Sequence, residues 1–381
     1  MKKVLAAMAI CSLLPATVLG ETLKIGVYEP ASGDSGAGGK QEMLGIQYAN
    51  TMTPTIEVGG KTYDIELVYA DNGSDTSKAP SAAQSLVSSG VSVILGSYGS
   101  GVSIAGSQYF ADANIPAIGL SCTNPQVTAG NSHYFRICFL DPFQGTVLAN
   151  YAYKTLGATT AYCLGELGND YDMGLCNYFQ QAFEALGGSV IADTFPTGTS
   201  DFTSYLNNAA MYGANVFFCP VSIAYSTQIV QQAAAQNAAF PIIGSDTLDS
   251  NVVTNAAKGT NVSVTVTTFY QEGANPEFDN GFKAFLNNDP QMLANNGGND
   301  QISAVSVMGY DGYYTALAAI KAADSVDSAA IMAALPTTEL DGVSGHISFD
   351  ATGDAVRNSA FVKKVNNETG DWEFVVEQTV E

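Results

Sequence analysis

The chain has few positively charged residues. Its 381 residues include 14 lysines and arginines against 36 aspartates and glutamates, which gives a formal net charge of −22 at pH 7. Proteins that bind nucleic acids neutralise phosphates with basic surfaces, so this composition argues against DNA or RNA as a partner. The acidity favours solubility and says nothing about the fold.

Residues typical of catalytic and metal centres are also scarce. The chain has two histidines, His133 and His346, and none of its six cysteines is spaced as CxxC. A zinc site of ordinary ligands is therefore not expected, and we predict neither a metal nor a cofactor. The GxSxG motif is missing and neither histidine follows a strand end of the predicted cleft, so the sequence does not predict a hydrolase.

One long apolar run is present, and it lies at the N-terminus. In MKKVLAAMAICSLLPATVLG, Lys2 and Lys3 precede an apolar segment that ends in a small residue, Gly20. This pattern predicts a secretory signal peptide over residues 1–20 and a periplasmic or otherwise extracytoplasmic protein. A lipid anchor at Cys11 is not expected, because Ile10 stands where a lipoprotein signal needs a small residue.

Five cysteines remain after the predicted signal peptide: Cys122, Cys138, Cys163, Cys176 and Cys219. Export permits disulfides, but an odd number leaves at least one thiol or an intermolecular bond. The sequence leaves the pairing open. Most of these cysteines are expected to be small buried hydrophobic residues.

Short β-rich runs alternate with helical segments along the chain. Near-continuous apolar runs such as LKIGVY and VSVIL alternate with segments of helical spacing, and the pattern restarts near Thr159. It predicts two doubly wound, Rossmann-like α/β lobes, each with a parallel sheet that is covered on both faces. The later helical segments are expected to return to the first lobe, and the tail is predicted to form a β-hairpin.

The points at which the strand series switches predict the domain boundaries. The N-terminal lobe comprises residues 21–141 and 271–345, and the C-terminal lobe comprises residues 142–270 and 346–381. The chain would cross between the lobes in three segments, near residues 141–144, 269–273 and 345–350. Two lobes joined in this way form a hinged pair with a cleft between them.

Glycines and hydroxyl side chains follow the predicted strands of the first lobe. The stretch GSYGSG (residues 96–101) places Ser100 where a helix begins, and a helix N-terminus with free N–H groups favours an anion. Neither a phosphate loop nor a complete dinucleotide motif is present, so a carboxylate fits better. Ser121 and Thr123 follow the next strand and could bind the same carboxylate. The alternatives are a plain strand-to-helix turn at Ser100 and a helix cap at Thr123.

Acidic and aromatic residues follow the predicted strands of the second lobe. Asp246 lies just after the strand PII, where its carboxylate could pair with an ammonium group, and Asp170 and Tyr171 lie at another strand end. Each of these residues could instead cap or begin a helix. Considered together, a carboxylate site on one lobe and an ammonium site on the other indicate an amino acid as the ligand.

The order and spacing of these motifs resemble a known family. From about Leu23 to the C-terminus, the chain is similar to the branched-chain amino-acid-binding proteins of ABC transporters, which are type I periplasmic binding proteins. The motifs of the resemblance are LKIGVYEPASG, VSVILGSYGSG, IPAIGLSCTNPQVT, YFRICFLDPFQG, NDYDMG, IIGSD and GHISFDATGD. Any one motif is weakly specific, whereas their order and spacing are strongly specific.

The resemblance implies a Venus-flytrap architecture with a three-segment hinge, and it assigns roles to five residues. Ser100, Ser121 and Thr123 match positions that bind the α-carboxylate of the ligand. Tyr171 matches an aromatic residue that closes from the second lobe. Asp246 matches the acidic residue, often Glu in relatives, that binds the α-ammonium.

Two departures from the family pattern concern the pocket for the ligand side chain. Gly38 and Val221 stand where relatives have aromatic residues, so a larger apolar ligand such as Phe is conceivable. Tyr98 and Phe143 are candidates to refill the space.

The resemblance also implies a function. It predicts a solute-binding protein, monomeric and without enzymatic activity or a cofactor, that captures a neutral apolar L-amino acid and delivers it to an ABC permease. Leu, Ile and Val are favoured as ligands. A larger aromatic amino acid, a related amide, or a ligand-sensing role with the same fold are the alternatives.

Overall fold

The computed structural model describes residues 20–379. Residues 1–19 of the predicted signal peptide (residues 1–20), with Cys11, lie outside the described residues. Within them the chain forms a six-stranded sheet, a seven-stranded sheet and a two-stranded ribbon. We call the larger sheets, each with the helices packed on it, the first lobe and the second lobe.

The first sheet contains the strands of the N-terminal region. In chain order its elements are β1 (Glu21–Glu29), α1 (Gly36–Met52), β2 (Thr55–Val58), β3 (Lys61–Asp71), α2 (Ala79–Ser88), β4 (Val93–Leu95), α3 (Ser100–Asp112), β5 (Ala117–Gly119) and β6 (Tyr134–Arg136). The strand order is β2-β3-β1-β4-β5-β6, and only β2 pairs antiparallel. Strands β4, β5 and β6 are completely buried, as expected for a parallel sheet covered on both faces.

The second sheet begins with another strand–helix series. Its elements are α4 (Asp141–Asn150), β7 (Thr160–Glu166), α5 (Asp170–Ala185), β8 (Ser189–Phe195), α6 (Thr203–Met211), β9 (Val216–Phe218), α7 (Ile223–Ala235), β10 (Ile242–Gly244), α8 (Asn251–Ala257) and β11 (Val264–Thr268). Buried apolar residues of β7, β9, β10 and β11 form the core of this lobe with helix α7.

The remaining elements return to both sheets. They are α9 (Pro276–Asn287), α10 (Pro290–Asn295), α11 (Ala304–Ala323), α12 (Ser328–Ala334), β12 (Leu340–Gly342), β13 (Gly345–Ile347), β14 (Ser359–Val365) and β15 (Trp372–Thr379). Helix α11 packs along α1 of the first lobe. Gly45 and Gly309 permit this close approach, because a Cβ atom at either one would lie within 2.1 Å of a backbone oxygen of the other helix.

The tail completes the second sheet, in the order β15-β14-β11-β10-β9-β7-β8. Strands β14 and β15 form the predicted hairpin and pair antiparallel with each other, and β14 also pairs antiparallel with β11. The sequence had indicated that the segment GHISFD belongs to this hairpin, but its strand, β13, pairs instead with β12 in the separate ribbon. Two short strands, β2 and β12, were not predicted from the sequence. The doubly wound α/β architecture itself is confirmed.

One disulfide lies within the second lobe. It joins Cys163 of β7 to Cys176 of α5, while Cys122, Cys138 and Cys219 are buried thiols. The thiols therefore match the expectation of small buried residues. Over residues 20–379, no helix is both long and apolar enough to span a bilayer.

Candidate ligand-binding cleft

A cavity lies between the two lobes, where the carboxyl ends of both sets of parallel strands meet. It is lined from the first lobe by Ser35, Ser74, Thr76, Tyr98, Gly99, Ser100, Gly101, Val102 and Ser121, and from the second lobe by Gly168, Asn169, Asp170, Tyr171, Asp172, Ser222, Asp246 and Thr247. This is the position at which open α/β sheets bind ligands.

The first lobe presents a helix N-terminus and two free hydroxyl groups. Gly99 precedes helix α3 with φ 107°, a conformation that favours glycine, and Ser100 is the first residue of the helix. The Ser100 hydroxyl accepts a hydrogen bond from the Asn124 backbone N–H at 3.1 Å. The Ser121 and Thr123 hydroxyls are buried and have no hydrogen-bond partner among the described residues. Buried polar groups are normally satisfied, so the Ser121 hydroxyl, which lines the cavity, is suited to a ligand. Thr123 is 0% exposed and does not line the cavity, contrary to the expectation from the sequence.

The capping alternatives for Thr123 and Asp246 are not realised, whereas Asp170 and Tyr171 do begin a helix, α5. Asn124, not Thr123, caps the turn that begins at Pro125, and its Oδ1 accepts a hydrogen bond from the Gln126 N–H at 2.9 Å. Asn169 caps α5 and Ser250 caps α8. The side chains of Thr123, Tyr171 and Asp246 are therefore left for other contacts.

Two buried carboxyl groups line the cavity from the second lobe, those of Asp172 and Asp246. Asp172 Oδ2 accepts the Glu166 N–H at 2.9 Å. Asp246 Oδ1 accepts hydrogen bonds from the Tyr171 hydroxyl and from Gln144 Nε2, each at 2.7 Å. Burial raises the pKa of Asp246 to about 6, and these two donors partly oppose the rise. Gln144 is held in this orientation because its Oε1 accepts from the Asp246 N–H and the Thr267 hydroxyl, both at 2.9 Å. The sequence placed Gln144 only at a lobe crossing, so this role was missed.

Tyr98 fills the space that Gly38 leaves. A Cβ atom at position 38 would lie 2.4 Å from Cζ of Tyr98, so a larger residue and this ring cannot occupy the site together. Gly38 does not itself line the cavity; it belongs to helix α1, whereas the sequence placed it in a loop. The Tyr98 hydroxyl donates to the Thr247 carbonyl oxygen of the second lobe at 3.2 Å.

Two further residues proposed as side-chain walls lie elsewhere. Val221 is fully buried in the second-lobe core, and its neighbour Ser222 lines the cavity in its place. Phe143 packs against Phe139, with ring centroids 5.7 Å apart, and does not line the cavity. Sequence spacing alone could not show which of two adjacent residues faces the cleft.

The lobes are in contact across the cavity. Besides the Tyr98–Thr247 hydrogen bond, Asn124 Nδ2 donates to the Asp170 carbonyl oxygen at 2.8 Å. At the mouth of the cleft, the Tyr225 hydroxyl donates to Asp34 Oδ2 at 3.0 Å. These hydrogen bonds between lobes define a closed conformation.

Three more carboxyl groups are buried beside the cavity, and sequence analysis missed them all. Burial raises the pKa of Glu42 to about 7 and that of Asp141 to about 8, and the pKa of Glu29 lies well above its usual range. Glu29 Oε2 accepts the Tyr98 N–H at 2.6 Å. One sequence signal existed: Glu42 shares a helix face with Gly38 and Gly45, and that spacing indicates a closely packed, buried face.

The histidines lie away from the cavity. His133 pairs with Asn114 at 3.0 Å and His346 with Asp341 at 2.8 Å. No cluster of three potential metal ligands occurs in residues 20–379.

Comparison with known proteins decides the family. A family model described as periplasmic binding protein matches residues 22–370. The chain belongs to the periplasmic binding protein family. Members of this family are extracytoplasmic solute-binding proteins of ABC transporters, not enzymes, and the predicted fold and lack of enzymatic activity are thereby confirmed.

Individual periplasmic binding proteins resemble the chain over nearly its whole length. The Leu/Ile/Val-binding protein homolog 2 of Brucella abortus is 26% identical over 361 residues, which cover 93% of both chains. The leucine-binding protein LivK of Thermotoga maritima has a TM-score of 0.81 and 29% identity, covering 94% of this chain and 99% of that one. A solute-binding protein of R. palustris in complex with benzoate has a TM-score of 0.82 at 21% identity, with coverages of 94% and 96%; at that identity it supports the fold alone.

Proposed function

We propose that this periplasmic binding protein captures a neutral L-α-amino acid with an apolar side chain in the interlobe cleft and delivers it to an ABC permease. Leu, Ile and Val are the favoured ligands. The observation that supports the proposal is the pairing of free hydroxyls and a helix N-terminus on the first lobe with the buried Asp246 on the second lobe.

The two halves of the site complement the two charged groups of an amino acid. The N-terminal turn of α3, with the Ser100 and Ser121 hydroxyls that line the cavity, offers donors to an α-carboxylate. Across the cleft, Asp246 offers an acceptor to an α-ammonium, with Tyr171 and Gln144 fixing its position. No lysine or arginine side chain lines the cavity within the described part of the chain.

The preference for an aliphatic side chain follows from Tyr98. Its ring occupies the space over Gly38 that an aromatic ligand such as Phe would otherwise use. Val102 and the rings of Tyr98 and Tyr171 supply apolar surface in the cavity. The names of the Brucella and Thermotoga relatives, which mention Leu, Ile or Val, agree with this preference.

Delivery would use a hinge of three segments. We place the lobes at residues 21–141 with 271–345 and at residues 142–270 with 346–381, as the strand series suggests. Ligand that touches both lobes stabilises the closed form, because its affinity for that form is higher. We infer that the chain is exported by its N-terminal signal peptide and acts as a monomer that docks on the permease.

Titration calorimetry with four matched ligands tests this function. Leu is compared with Phe, with 4-methylpentanoate, which lacks the amino group, and with 3-methylbutylamine, which lacks the carboxylate. We expect Leu to bind with a dissociation constant well below millimolar and at least about tenfold more tightly than the other three. Binding of 4-methylpentanoate as tightly as Leu, or more tightly, would refute the proposal.

A further inference from the structure

Asp34 and Tyr225 join the two lobes at the mouth of the cleft. Asp34 lies in the first lobe between β1 and α1, and Tyr225 lies on α7 of the second lobe. Asp34 lines a second cavity, which shares Ser35, Asn169 and Ser222 with the ligand cavity. The contact between Asp34 and Tyr225 therefore lies next to the ligand cavity and involves both lobes.

The side chain of Tyr225 is held in place by its own lobe. It is 2% exposed, and its ring packs edge-to-face on that of Phe195, with centroids 4.9 Å apart. Its hydroxyl oxygen accepts a hydrogen bond from the Gly198 N–H at 2.9 Å. Only the hydroxyl hydrogen can turn without moving the ring, so the phenol is a donor at a fixed position.

Two carboxylates face this one donor. Asp34 Oδ2 lies 3.0 Å from the Tyr225 hydroxyl oxygen, and Glu166 Oε1 lies 3.4 Å from it. A phenol has one hydrogen to donate, and the shorter distance indicates that Asp34 receives it in this conformation. Glu166 belongs to the same lobe as Tyr225 and has two further donors, the Thr197 hydroxyl at 2.6 Å and Asn169 Nδ2 at 3.2 Å.

The carboxylate of Asp34 depends on Tyr225. Among residues 20–379, the Tyr225 hydroxyl is the only hydrogen-bond partner of the Asp34 side chain. Closing of the lobes brings Asp34 towards Glu166, and two like charges repel each other. The phenol hydrogen between them offsets this repulsion in the closed form, whereas the repulsion itself disappears when the lobes separate.

We propose that Tyr225 is a latch that slows ligand release, because its hydroxyl donates to Asp34 in the closed form and turns to Glu166 when the lobes separate. Since Glu166 stays in the same lobe as Tyr225, opening exchanges one acceptor for another and leaves no buried donor unpaired. Tyr225 does not line the ligand cavity. It is therefore a positioning residue, which acts on the ligand through the closed conformation and not by contact. The inference rests on the proposed function only in that a ligand occupies the cleft, and it goes beyond that function by giving the closed form an interaction of its own.

Stopped-flow measurement of Leu dissociation tests the latch in three backgrounds at position 34. Tyr225→Phe keeps the buried ring and removes only the hydroxyl. In the wild-type background we expect this change to speed dissociation about tenfold, as for the loss of one hydrogen bond to a charged group, with the association rate constant within about twofold. In an Asp34→Ala background, where the acceptor is missing, Tyr225→Phe should speed dissociation less than about twofold. In an Asp34→Asn background, which keeps an oxygen acceptor, the effect of Tyr225→Phe should return.

The three backgrounds separate the latch from a structural role. If Tyr225 acted only on Gly198 and Glu166 within its own lobe, Tyr225→Phe would speed dissociation equally in all three. That result, or an unchanged dissociation rate in Tyr225→Phe, would overturn the inference.

A ligand-free measurement keeps the latch testable apart from the proposed function. If the wild-type protein binds no amino acid, the proposed function fails, and small-angle scattering of the ligand-free protein then decides about the latch. A larger radius of gyration in Tyr225→Phe than in the wild type supports the latch, and equal radii overturn it.

Discussion

At the scale of single residues, Asp246 is the ionisable group on which the proposed function depends most. It is 2% exposed and lies between two fixed donors, Tyr171 and Gln144. A cationic ligand group buried beside it in the closed form would lose its partner if the carboxylate were removed. Truncating one member of a buried ion pair costs about 3–5 kcal/mol.

We therefore expect Asp246→Asn to weaken Leu binding about 100-fold or more, as measured by calorimetry, with the fold intact by circular dichroism. Asp170→Asn provides the matched control, because it removes the same charge from an exposed residue that also lines the cavity. That variant should change affinity less than about threefold, in line with the small effects of exposed charges. Similar losses of Leu affinity in both variants would indicate that the overall negative electrostatic potential of the cleft, and not a specific ion pair with Asp246, favours binding.

At the scale of secondary-structure elements, helix α1 connects packing to the cleft. Its Gly45 allows close packing on α11, Glu42 is buried beside the cavity, and Gly38 makes room for the Tyr98 ring. A single face of this helix thus supports the site without lining it.

Gly38→Ala separates helix stability from ligand binding. Alanine stabilises a helix by about 1 kcal/mol relative to glycine, but its Cβ would lie 2.4 Å from Tyr98 Cζ and displace the ring. We expect an unchanged or higher melting temperature together with a roughly tenfold loss of Leu affinity, which is about 1.4 kcal/mol. In a Tyr98→Leu background the added methyl group should have little further effect on affinity. Full affinity in Gly38→Ala would show that the ring position does not matter.

The elements were largely predictable from the sequence, and the details of the site were less so. Apolar runs such as VIL and IIG predicted the buried strands, and the residues just after them, including Ser100, Ser121 and Asp246, do line the cavity. The ribbon of β12 and β13 was missed because strands of three residues have too few positions to establish a period.

Burial of acidic side chains was the harder problem. Glu42 lies in the segment KQEMLG, whose charges and amide are typical of an exposed face, and its burial depends on α11, more than 250 residues later. Similarly, the contact of Gln144 with Asp246 joins residues that are 102 positions apart. Such contacts depend on tertiary packing and leave no local pattern.

At the scale of the whole molecule, the buried acids determine how stability depends on pH. Desolvation raises the pKa of Asp246, Glu42 and Asp141 to about 6, 7 and 8, above the values near 4 expected in the unfolded chain. Between about pH 4 and about pH 8 the folded protein therefore binds more protons than the unfolded chain, so the free energy of unfolding falls as the pH rises.

We expect the melting temperature of ligand-free protein to drop by at least about 3 °C from pH 5 to pH 8, as measured by calorimetry, and the drop to shrink in the double variant Glu29→Gln with Glu42→Gln. Repulsion among surface charges, with a net charge of −22, would act in the same direction, but salt screens it. If the melting temperature drops by a similar amount in about 0.5 M NaCl and at low salt, the buried acids and not the surface charges cause the drop, because salt screens only the surface charges. A melting temperature that rises towards pH 8 would contradict the assignment.

The placement of the Cys163–Cys176 disulfide within one lobe bears on how the protein folds and oxidises. Cys163 and Cys176 are 13 residues apart and lie on a strand and the helix that follows it, so the ring that oxidation closes is small and its entropy cost low. The other three cysteines of the described residues, Cys122, Cys138 and Cys219, become inaccessible as β5, β6 and β9 are buried. Oxidation that accompanies docking of α5 on β7 thus favours the native pair over scrambled isomers. Since this bridge joins neighbouring elements of the second lobe, it adds covalent stability to that lobe and does not link the two lobes covalently.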